Sequence, residues 1–139
     1  MSDAFDLKRF LDAQNPVIGE VRAELQRGCK EGHWMWFVFP QFKGLGHSWM
    51  AEHYGISSRA EAEAYLAHPI LGPRLMECTR LANQVDGRSI EKIFGPVDAL
   101  KFRSSMTLFA AVVGQGSVFE DALGKYFAGQ PDRLTLDRL

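Results

Sequence analysis

Apolar residues recur along this chain mostly at helical spacing. In residues 5 to 14, Phe10, Leu11 and Gln14 fall on one side, behind Asp3 or Asp6 as candidate caps. The next stretch is sharper. Val17, Val21 and Leu25 recur every four residues, Asn15 and Pro16 stand where an N-cap and a first helical position belong, and Gly28 stands where the helix should end. Ser58 and Glu61 fit a capping box for a helix to about Ala67, and His68-Pro69 breaks or bends the chain there. From about Pro73 to Val85, a stripe of Leu75, Cys78, Ala82 and Val85 is opposed by Glu77, Arg80 and Gln84, with Asp86-Gly87 as the stop. A short turn follows at Ser89 to Phe94. Gly95-Pro96 then opens a helix to about Val113, and Ser117 caps another to about Ala128. The tail, GQPDRLTLDRL, reads as polar and loosely packed. Only Trp36 to Phe39 has the look of a strand, and one short strand makes no sheet. The pattern predicts an all-α fold: one globular domain over 1–139, a compact bundle of about six to seven helices around a central buried helix at about 96–113.

Composition narrows the class. The chain has 139 residues, 46% of them hydrophobic and 24% charged. A domain of this size buries roughly two-thirds of its unfolded surface, so it needs no metal or disulfide to fold. Sixteen basic and 17 acidic residues give a net charge of −1, which supplies no basic bias toward nucleic acid or an anionic membrane. Cys29 and Cys78 lack C-x-x-C spacing, the N-terminus lacks an apolar signal core, and no apolar run approaches the ~20 residues of a membrane span. A cytoplasmic protein is expected, with no nucleic-acid or membrane partner. No phosphate loop, H-E-x-x-H helix or G-x-S-x-G elbow occurs, and four scattered histidines make no metal cluster. Neither cofactor nor metal is expected.

Two stretches carry candidate chemistry. On the helix at 96–113, Val97, Lys101, Leu108 and Val112 fall within one arc, flanked by Ser104 and Ser105, while Phe102, Met106, Phe109 and Val113 occupy the other side. Lys101 thus sits in an apolar stripe and needs a carboxylate, an open pocket or an anion. Asp98 is the partner within reach. The second stretch is GCKEGHWMWFVFPQFKGLGHSW, residues 28 to 49. Its aromatic run suits a core, yet Lys30, His33 and Gln41 bracket it, and Gly44, Gly46, His47 and Ser48 follow in a loop that can approach a ligand closely. A third cation, Arg74, stands at the start of a helix, where the macrodipole favours an anion nearby.

These residues fall inside four longer motifs: K-x-x-H-W-M-W-F-V-F-P-Q, G-L-G-H-S, A-Y-L-A-H-P-I-L-G-P-R-L and D-A-L-K-F-R-S-S-M-T-L-F. In this order, from about Phe10 to Phe127, they resemble the family of unknown function DUF1810, found in bacteria and fungi. The resemblance implies a compact all-α domain and carries no activity with it. Some members bear the label calpastatin, which implies a long, disordered, repetitive inhibitor; a short aromatic-rich chain is unlike that. A more distant pattern is shared with helical families that handle ADP-ribose-type N-glycosides. They place a lysine after an early helix and a Lys-Phe pair on a late central one, here Lys30 and Lys101-Phe102.

The resulting expectation is a pocket for a small anionic, nucleotide-like ligand. Lys30, Arg74 and Lys101 would hold the anion. Gln41, Ser48, Ser104 and Ser105 would orient it, Trp34 or Trp36 would stack on it, and His33 would be the acid or base of any catalysis. Two alternatives stand beside it: an interaction module that presents the aromatic 34–42 segment to a partner protein, and a purely structural or regulatory domain.

Overall fold

The computed structural model describes residues 3–139, which fold as ten helices: α1 (Lys8–Gln14), α2 (Ile18–Arg27), α3 (Met35–Val38), α4 (Trp49–Tyr54), α5 (Arg59–Ala67), α6 (Leu71–Asn83), α7 (Ile90–Phe94), α8 (Pro96–Val113), α9 (Val118–Phe127) and α10 (Arg133–Leu136). The only β pairing among the described residues is an isolated parallel bridge between Phe42 and Ile56. The fold is therefore all-α. Helix α8 is its axis: it packs against α9, α7, α10, α5 and α3, and buries Ala99, Phe102 and everything from Ser104 to Phe109.

Local chemistry sets most boundaries. Ser58, Ser89 and Ser117 each accept a hydrogen bond from a backbone N–H three residues on and so start α5, α7 and α9. Gly28 ends α2 in the left-handed conformation, φ 71°, that a side chain would resist. Gly72 has a different role. A Cβ there would overlap the Leu66 carbonyl oxygen, so glycine lets α6 start directly against the end of α5.

Four expectations are corrected. Asn15 does not cap α2; it ends α1, its N–H bonded to the Leu11 carbonyl. Pro16 has no N–H to continue that ladder, and α2 begins only at Ile18. Trp36 to Phe39 is no strand. Met35–Val38 forms one helical turn, with Val38 and Phe39 N–H bonded to the Trp34 and Met35 carbonyls. A run apolar on every side buries more in a turn than in an unpaired strand. Helix α6 begins at Leu71 rather than near Pro73, because proline is tolerated in a first turn that needs no N–H, and His68 Nδ1 accepts from the Ile70 and Leu71 amides. The tail is not loose either. Asp132 caps α10 through the Thr135 amide and hydroxyl and accepts from Ser104, while Asp132 N–H donates to Thr107 Oγ1. Thr135 is fully buried.

The aromatic stretch forms the centre of the core. Trp34, Phe39, Phe94 and Phe102 make edge and tilted ring contacts with centroids 4.9 to 6.2 Å apart. Trp34, Met35, Phe37, Val38, Phe39 and Phe42 are all buried, and Trp36 is half-buried.

Candidate functional site

The loop between α2 and α3 is shaped by one buried carboxylate. Glu24 Oε1 accepts from the Glu31 and Gly32 amides and from the Trp34 indole, at 2.7, 2.9 and 3.0 Å. Burial alone would raise the Glu24 pKa. The amides of Gly32 and Glu31 and the indole outweigh it, and the carboxyl titrates below its ordinary range. This loop points Lys30 back over Trp34, with its ammonium 5.1 Å from the ring centroid and bonded to the Gly32 carbonyl.

Lys30 then meets α8. Asp98 Oδ2 lies 2.8 Å from Lys30 Nζ, and its other oxygen lies 3.1 Å from Lys101 Nζ. Burial would raise the Asp98 pKa, but hydrogen bonds and charge from the two lysines prevail and lower it. Lys30 is the enclosed partner, its side chain 7% exposed; Lys101 is 21% exposed and also sits 4.6 Å from the centre of the Trp36 ring. Two cations on one carboxylate leave one positive charge over, on the side where Lys101 opens to solvent.

That side is a cleft of about 330 Å³ lined by Gln41, Leu45, Gly46, Val97, Leu100, Lys101, Arg103, Ser104, Asp132 and Leu134. Three structures wall it: the loop between the Phe42 bridge and α4, the first turns of α8, and α10 from the tail. The Gln41 side-chain amide and the Gly46 N–H make no hydrogen bond among the described residues. Ser104 Oγ lies 3.2 Å from both the Leu100 carbonyl and Asp132, so its one hydrogen is engaged.

Of the residues singled out in the sequence, Gln41, Gly46, Lys101 and Ser104 share this cleft, Trp36 borders it through Lys101, and Lys30 stands behind it through Asp98. The others lie elsewhere. Trp34 is 2% exposed with its N–H already bonded, so it has no face for a ligand. Arg74 donates to Gln14, whose amide reaches the Phe37 carbonyl and the Tyr65 hydroxyl. Ser48 caps α4. Ser105 is fully buried and its Oγ has no hydrogen-bond partner among the described residues. His33 is exposed and lines none of the cleft. Sequence reasoning missed Arg103 and Asp132. For Asp132 a signal existed, since Asp-x-x-Thr is a helix-start pattern.

Glu24 and Asp98, each held below its ordinary range, contribute to a pH dependence. A group whose folded pKa lies below its unfolded one stabilises the fold above the unfolded value and loses that contribution as pH falls through the folded value. Urea midpoints are therefore expected to fall below about pH 4.5, and Asp98→Asn should flatten part of that fall. An acid limb identical in Asp98→Asn and the parent would contradict the role given to Asp98.

The fold is thus that of an all-α protein with a cationic, partly apolar cleft beside its central helix. The chain belongs to the family described as protein of unknown function, DUF1810, whose model matches residues 4–139. It is similar to the conserved hypothetical protein Rv1873 from Mycobacterium tuberculosis, known from a crystal structure: 60% identity, 99% of this chain and 98% of that one covered, TM-score 0.97. A search of curated proteins found no match. No helix among the described residues is long and apolar enough to cross a membrane.

Proposed function

We propose that this protein binds a small anionic ligand in the cleft beside α8, with the nucleotide-like molecules suggested by the sequence as first candidates. One observation carries the reading. Lys101, Gln41 and Gly46 line the same cleft, and among the described residues the Gln41 amide and the Gly46 N–H make no hydrogen bond, so an ammonium, an amide and a backbone N–H are to hand. Such a set suits an oxyanion. Lys30 supports it by neutralising Asp98, which leaves the Lys101 charge available. The reading is of binding, because His33, the acid–base candidate, lies off the cleft. Two free thiols, Cys29 and Cys78, agree with a reducing, cytoplasmic setting.

A thermal-shift panel of inorganic phosphate, nucleotides, NAD and ADP-ribose tests it. A ligand at about one hundred times its Kd adds roughly 2.7 kcal/mol, which for a chain of this size is a rise on the order of 5–10 °C. The shift is expected to vanish in Lys101→Ala, weaken in Gln41→Ala and persist in His33→Ala. A shift that survives in Lys101→Ala would put the site elsewhere.

A further inference from the structure

Val97 and Leu100 are 65% exposed and Leu134 is 63% exposed, and all three line the cleft that holds Lys101. A lone exposed leucine needs no explanation, but three large apolar side chains around one ammonium form a surface of a definite kind. Val97 and Leu100 belong to the first turns of α8, and Leu134 comes from α10 across the gap; Leu45 joins them from the loop.

The charge of the walls limits what lies between them. Lys101 and Arg103 face one carboxylate, Asp132. The Arg103 guanidinium donates to the Gln130 and Pro131 carbonyls at 2.9 and 3.2 Å, so its fork is turned to the tail. Asp132 is fixed by Thr135 and Ser104 and stays in the wall. Arg103 and Asp132 balance, Lys30 and Asp98 balance, and Lys101 alone is left. A single negative charge matches this cleft. Each further one would add repulsion from Asp132 without a new cation to meet it. At about 330 Å³ the space lies at the small end of ligand pockets.

Resting on the anion-binding reading, we infer that the ligand is a monoanion with an apolar body. Its oxyanion head, carboxylate-like or a singly charged phosphoester or sulfate, lies against Lys101, Gln41 and Gly46. Its hydrocarbon or aromatic body lies over Leu100, Val97 and Leu134. Among nucleotide-like molecules, one with a single negative charge and its ring on the apolar side fits this cleft best, and each further phosphate adds repulsion from Asp132.

Calorimetric titration of the full chain with acetate, octanoate, octanol, octyl sulfate, inorganic phosphate and ADP-ribose tests this, below micelle-forming concentrations. Octanoate or octyl sulfate is expected to bind at least tenfold more tightly than acetate, phosphate or ADP-ribose, and the better of the two identifies the head. Leu100→Ser, at an exposed position that leaves the core untouched, should weaken the long-chain probe about tenfold and leave the urea midpoint unchanged. Lys101→Met should remove the preference for octanoate over octanol. Tighter binding of ADP-ribose than of octanoate, lost in Lys101→Met, would overturn the monoanion inference and leave the anion site standing. Absence of binding by every anion would overturn both. A concentration-dependent dimer abolished by Leu100→Ser, with no anion bound, would show that the apolar lip serves a second copy of the chain and would overturn both as well.

Discussion

Replacing Arg9 with methionine is expected to destabilise the fold by about 3–5 kcal/mol, a fall in Tm on the order of 10–15 °C. All five guanidinium N–H groups are engaged. Nε donates to the His53 carbonyl at 2.8 Å, one terminal nitrogen to the Phe5 and Asp6 carbonyls at 2.6 and 2.8 Å, and the other to the Gly55 carbonyl and Glu61 Oε2 at 3.1 and 2.8 Å. The pair is enclosed, with the Arg9 side chain 11% exposed and that of Glu61 2%. Methionine keeps much of the volume but strands a buried carboxylate and four carbonyl groups from two separate parts of the chain. Lysine cannot reproduce a five-bond fork, so Arg9→Lys should lose most of the same stability. Adding Glu61→Gln to Arg9→Met should recover part of the loss, because the orphaned charge is then gone. Urea denaturation of the two single variants and the double measures this. A loss under 1 kcal/mol in Arg9→Met would show that water replaces the fork.

The second large effect is expected at Glu24. Glu24→Ala removes the one acceptor of the Glu31, Gly32 and Trp34 N–H groups. Each stranded buried donor costs roughly 1–3 kcal/mol; with water reaching the loop amides, a total of about 3 kcal/mol is expected. Glu24→Gln keeps an acceptor oxygen and should lose less. The consequence reaches the cleft: the released loop is the one that carries Lys30 to Asp98, so Lys101 would take over Asp98 and its charge would be withdrawn from the ligand. Glu24→Ala should therefore weaken anion binding even under conditions where the protein remains folded. Tryptophan emission and the urea midpoint report the loop, and titration reports the cleft. Unchanged emission together with unchanged affinity would separate Glu24 from the site.

The elements legible in the sequence are those whose signal is local. Serine caps at 58 and 117, the Gly28 stop and the Gly95-Pro96 start each act within a few residues, and each marks the helix it was expected to mark, while Ser89 to Phe94, read as a turn, is the short helix α7 with Ser89 as its cap. The Lys101–Asp98 pair was legible for the same reason, being one turn of one helix. What was hidden depends on long-range contacts. Arg9 reaches 52 residues along the chain to Glu61, and nothing near either residue shows it. Glu24 had a partial signal: three residues after Val21 and beside Leu25, it falls on the buried face of α2, where a carboxylate must find donors. Arg74 misled because a cation at a helix start implies an anion. The structure instead gives it Gln14, an amide. Trp36 to Phe39 misled because a short apolar run has no periodicity to separate a strand from a helical turn. The cleft itself brings 41–46, 97–104 and 132–134 together, and no local pattern encodes that meeting of three segments.

The most direct measurement is a pair of titrations followed by ¹H–¹⁵N correlation spectra, one with octanoate and one with ADP-ribose, read residue by residue. Saturable shifts in either titration at the backbone of Leu45, Gly46 and Lys101 and at the Gln41 side-chain amide, absent in Lys101→Ala, are the expected result. Spectra that do not move with either anion, or saturable shifts confined to the surroundings of Arg74 or His33, would contradict a binding site in the cleft beside α8.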